Sequence, residues 1–170
     1  MVTPELYCDV FDGLERHEVR YVVIGGAAVV MHGYVRPIVD LDIVIDPAPA
    51  EANRALRALA QGGFVPSVPL PLSMLSVLRM FDHSQREVDV FVRYHIPFND
   101  LWTDSERVLV GKGSSVARVE SLEHLLRAKR IDGRPRDLQD VDGLLALKGR
   151  APDAVGDEPT DGGGAREEST

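Results

Sequence analysis

The sequence predicts an α/β (α+β) fold, a mixed sheet flanked by helices. Three observations carry this. Short runs of β-branched and large aliphatic residues recur at 21–24, 40–45 and 86–93. Segments with helical spacing of apolar residues stand among and after them, at 50–61, 121–131 and 136–147. Elements of both kinds, interleaved, bury a sheet against helices.

The elements follow in order. A helix is expected over about 4–17, with Thr3 as its cap and Pro4 in its first position. Cys8 on that helix reads as a small packing residue. Tyr21-Val22-Val23-Ile24 is an apolar strand, and Gly25-Gly26 follow it. Residues 27–32 make a short helix that Gly33 ends in the left-handed conformation. The next strand, 40–45, carries two aspartates. The helix at 50–61 stops at Gly62-Gly63. Strands are expected near 64–68, at about 75–81 and at 86–93, then a loop, then a short strand near 116–119. Ser121 caps the helix 121–131, and Pro135 suits the first turn of the last helix, 136–147.

The chemistry concentrates around the Gly pair and the aspartates. Side chains on a strand alternate faces, so Asp40 and Asp42 point one way while Leu41, Ile43 and Ile45 point to the core. Two carboxylates on one face of an apolar strand repel each other and lose hydration, which calls for a cation. A hard divalent ion such as Mg²⁺ suits them. The bland alternative is two exposed acids at a strand end. Gly25 and Gly26, between a strand and a helix start, let an anion approach the backbone. A third carboxylate would complete a two-metal site. Asp89, on the strand 87–92, is the candidate, with Glu87 on the same face as the fallback. Its alternative is an ion pair with Arg86 or Arg93.

A second block lies downstream, SLEHLLRAKRIDGRPRDLQDVDGLL at 121–145. Leu122, Leu125, Leu126 and Lys129 recur at helical spacing, so the Lys129 stem can pack while its ammonium reaches a site. Asp137 and Asp140 share a helix face. Asp137 can be a plain helix-start acid, and Asp140 can anchor Lys129 or Arg136. Arg36 can pair with an acid or touch phosphate. Arg127, Lys129, Arg130, Arg134 and Arg136 form a dense basic patch able to hold a phosphate-rich substrate. The histidines at 17, 83 and 95 lack metal-ligand spacing, and His32 reads as a helix-end cap. Trp102, Tyr94 and Phe98 read as core packing rather than a base-stacking wall.

The pattern G-G-x13-D-x-D, with His32-Gly33 and Arg36 inside it, then Asp89, Lys129 and R-D-x-x-D at 136–140, resembles the polymerase-beta-like minimal nucleotidyltransferases. Within them it is similar to the AbiEii and MenT nucleotidyltransferase toxins of type IV toxin–antitoxin systems. Two positions depart from the pattern. Gly26 stands where many relatives carry Ser, and Ile38 where many carry Thr, so two phosphate-bonding hydroxyls are missing. The resemblance implies metal ligands Asp40, Asp42 and Asp89, nucleotide contacts from Gly25, Gly26, Arg36 and Lys129, and catalytic service from Lys129 and Asp137. It implies Mg²⁺ with a nucleoside triphosphate as substrate, a tRNA 3′ end or a protein as acceptor, and a cognate antitoxin as partner. Two rivals stand beside it: a small-molecule nucleotidyltransferase of the antibiotic-modifying kind, and a non-catalytic relative that only binds.

Composition sets bounds. The chain has 170 residues, 44% of them hydrophobic, which suffices for one domain with a core over residues 1–150. One cysteine excludes an internal disulfide and fits a reducing cytoplasm. No signal segment and no membrane-length apolar run is visible. The net charge is −8, and residues 151–170 supply five of those charges through six acids and one base. That Gly-, Pro- and acid-rich tail is expected to be disordered. The remaining mildly acidic domain does not advertise nucleic-acid binding by charge alone.

Overall fold

The computed structural model describes residues 3–149. The expected tail, 151–170, lies outside them. The order is α1 (Cys8–Arg16), β1 (Tyr21–Ile24), α2 (Gly25–Met31), β2 (Leu41–Ile45), α3 (Pro49–Gln61), β3 (Val65–Pro66), β4 (Val77–Phe81), β5 (Glu87–Phe91), α4 (Phe98–Asp104), β6 (Glu106–Val110), β7 (Ser115–Val119), α5 (Leu122–Asp132) and α6 (Pro135–Gly149). A 3₁₀ turn, Pro4–Tyr7, precedes α1, and another spans Leu72–Met74.

One seven-stranded sheet runs β3-β4-β5-β2-β1-β7-β6. Its centre is mixed: β1 is antiparallel to β2, while β2 pairs parallel with β5 and β1 parallel with β7. Alternation sorts the strand residues onto two faces. One face, with Val23, Leu41, Ile43, Val88 and Val90, joins the main core with α1, α2, α3 and the C-terminal helices. The other carries Val22, Ile24 and Val44, covered by Ile96, Phe98 and Leu101 from α4 and the segment before it. Both faces of the central strands are therefore apolar beneath cover, which explains their near-continuous aliphatic runs.

Several boundaries follow expected chemistry. The Ser121 hydroxyl accepts the His124 N–H (3.2 Å) and starts α5. Gly133 ends α5 in the left-handed conformation (φ 63°), and Pro135 opens α6. Thr3 occupies the cap position of the first turn without a side-chain capping bond, and the expected single helix 4–17 divides into a 3₁₀ turn and α1. The expected strand 64–68 shrinks to two residues at the sheet edge. The region read as a loop holds α4 and β6 instead. Alpha-helix α4 is only seven residues long, and β6 is an exposed edge strand of mixed polarity, so neither shows a strong period. Among the described residues no helix is long and apolar enough to cross a membrane.

Leu101 on α4 is fully buried against β1 and β2. Leu101→Ala is expected to lower stability by about 2–5 kcal/mol in chemical denaturation. An effect typical of a surface loop would show that α4 does not pack as described.

Candidate active site

Asp40, Asp42 and Asp89 converge on the sheet face that carries Val22, Ile24 and Val44. Asp42 sits on β2 and Asp89 on β5, directly opposite each other in the parallel register. Asp40 lies in the bend just before β2 rather than on the strand, yet its side chain joins the other two. Each residue offers one carboxylate oxygen, and these oxygens lie within 4.8 Å of one another. Burial, then the charges of Asp40 and Asp89, push the Asp42 carboxyl up to about 7. Burial and Asp89 raise Asp40 as well. This all-oxygen donor set, strained by its own charge, fits a hard divalent cation.

Asp89 has a partner that the sequence reading missed. Arg79, opposite it on β4, grips both its oxygens (Nε–Oδ1 2.9 Å, Nη2–Oδ2 2.8 Å). The anticipated alternatives, Arg86 and Arg93, do not serve. Arg86 instead joins Asp9 to Asp82. Glu87, the fallback ligand, reaches Arg79 Nε (2.6 Å) and stays out of the trio. The clue to Arg79 was a lone cation in the apolar run VLRMF, but its pairing depends on strand register.

Gly25 owes its identity to this cluster. Gly25 has φ 65°, and a Cβ there would lie 2.5 Å from Asp42 Oδ2. A Cβ on Gly26 would press on the Arg36 guanidinium at 3.2 Å. The Gly25 N–H, expected to face a phosphate, donates to Glu120 Oε1 (3.3 Å). Glu120 is a second residue that the sequence reading missed; an acid between a strand and a helix cap carries no distinctive signal.

The downstream block folds into a buried ion network. Lys129 Nζ sits 2.9 Å from both Asp137 Oδ1 and Asp140 Oδ2. Arg134 Nε donates to Asp137 Oδ2 (2.6 Å), and Arg36 grips Asp140 with two bonds (2.6 and 2.8 Å). Burial opposes ionisation of Asp137, but Arg134 and Lys129 together hold it below the usual carboxylate range. Asp140 therefore anchors Lys129, as one reading expected, and Arg36 rather than Arg136. Arg136 instead donates to the Pro37 carbonyl (2.8 Å). Of the expected basic patch, Lys129 and Arg134 are thus paired with buried acids.

All the sequence-predicted site residues line one cleft of about 930 Å³: Asp40, Asp42, Asp89, Gly25, Gly26, Arg36, Lys129 and Asp137. Tyr94 lies in its wall, whereas Phe98 and Trp102 stack on each other outside it. His32 bonds the Glu120 carbonyl (2.8 Å) and His17 ties α1 to Gln61, both structural roles.

Solved structures resemble this chain in fold. No protein-family model matches the sequence, and no curated protein matches it. A lincosamide antibiotic adenylyltransferase, LnuA, solved with lincomycin, superposes with a TM-score of 0.63 at 19% identity, covering 86% of this chain and 98% of its own. A Thermotoga maritima protein described as a nucleotidyltransferase gives 0.62 at 20% identity, covering 86% and 96%. ANT(2″)-Ia, in complex with adenylyl-2″-tobramycin, gives 0.59 at 11% identity, covering 84% and 87%. The chain has the polymerase-beta-like nucleotidyltransferase fold.

The raised Asp42 has a consequence for stability. Its folded-state value, about 7, exceeds the ordinary carboxylate value, so the folded chain binds the extra proton between about pH 4 and 7. Its contribution is fully present below that window and falls as pH rises through it. In the presence of a chelator, Asp42→Asn is expected to stabilise the protein at pH 8 by on the order of 1–3 kcal/mol and by much less at pH 5. Thermal melts at the two pH values check this; equal effects at both would mean that Asp42 is not strained. Gly25→Ala is expected to destabilise by more than about 1 kcal/mol through positive φ and collision with Asp42. Chemical denaturation measures it.

Proposed function

We propose that the protein is a divalent-metal-dependent nucleotidyltransferase that moves a nucleoside monophosphate from a nucleoside triphosphate to an acceptor hydroxyl. The observation that carries this reading is the convergence of Asp40, Asp42 and Asp89 inside a cleft walled by Arg36, Lys129 and Arg134. Asp40 and Asp42 would hold the ion, and Asp89 a second one. When bound, Mg²⁺ would neutralise phosphate charge and ease deprotonation of the acceptor hydroxyl.

The protein groups do the rest. Asp89 takes the acceptor proton while Arg79 fixes its orientation. The acceptor oxygen bonds to the α-phosphorus, the bond to the β-phosphate bridge breaks, and pyrophosphate leaves. Lys129 offsets the charge of the phosphates, and Arg36 faces Gly26, where the β- and γ-phosphates approach. Asp137 is a positioning residue that holds Lys129 and Arg134.

For the acceptor, the sequence resemblance supports a tRNA 3′ end or a protein, in a toxin with a cognate antitoxin. A specific observation favours a second reading, transfer to a small molecule. Lys129, Arg134 and Arg36 are tied to internal acids, which leaves less free positive charge for an RNA backbone. Two of the similar folds, moreover, belong to antibiotic-modifying enzymes.

Incubation of the protein with Mg²⁺, each labelled triphosphate and either total tRNA or a panel of lincosamides and aminoglycosides separates these readings. Label on RNA supports the first, and label on a small molecule the second. Asp42→Ala or Asp89→Ala is expected to lower transfer by at least about a thousandfold, and a chelator to abolish it. A protein that folds, binds no triphosphate with Mg²⁺ and transfers nothing would overturn the proposal.

A further inference from the structure

Gly143 stands in the interior of α6, where glycine is a poor choice. Only proline forms helix less readily. Its φ is not positive, so no backbone turn calls for it. Close approach does. A Cβ built on Gly143 would fall 2.5 Å from Cζ and 2.6 Å from Cδ2 of the Tyr34 ring, nearer than packed carbon atoms come. The ring takes the space that a side chain at 143 would fill.

Tyr34 belongs to the segment between α2 and β2, which ends in Asp40. Apart from a bridge residue at Ile38, residues 34–38 have no regular structure, so their placement depends on what they touch. Much of that is α6. Tyr34 sits on Gly143, Arg36 bonds Asp140 twice (2.6 and 2.8 Å), and the Pro37 carbonyl accepts from Arg136 (2.8 Å). Positions 136, 140 and 143 are four and three apart, which puts them on one face of the helix. The segment is thus strapped along a single helix face, and Asp40 follows three residues after the last tie. The Tyr34 ring has little room to swing aside. Its backbone N–H donates to the Val29 carbonyl (3.2 Å), and its side chain packs on the main core. A methyl group at 143 therefore presses the helix and the segment apart, within one turn of the Arg36–Asp140 bonds.

We propose that Gly143 is a positioning residue for the divalent-ion site: by leaving room for Tyr34 it lets α6 hold the segment that sets Asp40 beside Asp42 and Asp89. This rests on the ion site of the nucleotidyl-transfer reading. It extends the support of that site to two residues, Gly143 and Tyr34, that contribute no ligand atom.

The test is Mn²⁺ binding to the full chain, followed by electron paramagnetic resonance; Mn²⁺ takes the oxygen ligands that suit Mg²⁺. Gly143→Ala should bind Mn²⁺ at least about fivefold more weakly than the parent, while far-ultraviolet circular dichroism shows it folded. In a Tyr34→Ala background the same substitution should cost less than about twofold, because the contact that couples the two residues is then gone. Helix propensity alone makes the opposite forecast, a higher melting temperature with ion affinity untouched. An unchanged affinity in Gly143→Ala would overturn the proposal, since the ring would simply have moved aside. So would an equal loss in both backgrounds, since the effect would then bypass the ring. Should Gly143→Ala fail to fold, Tyr34→Ala decides by itself: the segment loses its seat, and affinity should fall at least about threefold with the fold kept. Undiminished affinity there refutes the seat. A parent chain that binds no Mn²⁺ overturns the ion-site reading, and this proposal with it, before any variant is compared.

Discussion

Three negative charges forced together are the constraint around which this molecule is arranged. Asp40, Asp42 and Asp89 bring their oxygens within 4.8 Å on one face of the sheet. At that separation, partly shielded from water, each carboxylate opposes ionisation of the next, and Asp42 is displaced to about 7. Residues around the trio answer to it. Position 25 favours glycine because its φ is positive and a side chain would press on Asp42. Arg79 supplies a counter-charge to Asp89 from the next strand, but its side chain is half exposed, so it balances the cluster only in part. The unbalanced remainder makes the trio a fitting donor set for a divalent cation.

A second electrostatic unit holds the opposite wall. Lys129 is buried between Asp137 and Asp140, and Arg36 and Arg134 close the network from outside. Through Arg36 it ties the loop before β2 to α6, and through Lys129 it ties α5 to α6. Buried ion pairs of this sort add little net stability compared with apolar packing, but breaking one partner is costly. Their use here is positional, because they set cationic groups at the cleft wall beside an acidic floor. A count of arginines and lysines along the sequence overstates the positive charge that the folded surface offers to a large polyanion.

Much of this was legible in the chain. The period of two in VDLDIVI placed Asp40 and Asp42 together, and the structure retains that placement even though Asp40 precedes the strand. The isolated acid in EVDVF pointed to Asp89 for the same reason: an apolar strand interior tolerates a carboxylate only with a partner. Helical spacing put Lys129 on the buried stripe of α5, and its buried position agrees. Arg79 and Glu120 were not legible. Each acquires its meaning from a residue on another element, Arg79 from the β4–β5 register and Glu120 from the β1–β7 pairing. Helix α4 escaped because seven residues hold too few turns to display a period, and its reason to fold is the apolar face of β1 and β2 beneath it.

Local order thus came from local chemistry: alternation of aliphatic and acidic residues, glycines where the backbone turns left, and a serine and a proline at helix starts. Those features act within a few residues, so the chain alone determines them. Which charges meet is another matter. The pairings of Asp89 with Arg79, of Arg36 with Asp140, and of Gly25 with Glu120 arise only when the sheet order sets distant segments side by side. Electrostatic partnership depends on distance in space, and that distance is fixed by packing rather than by position along the chain.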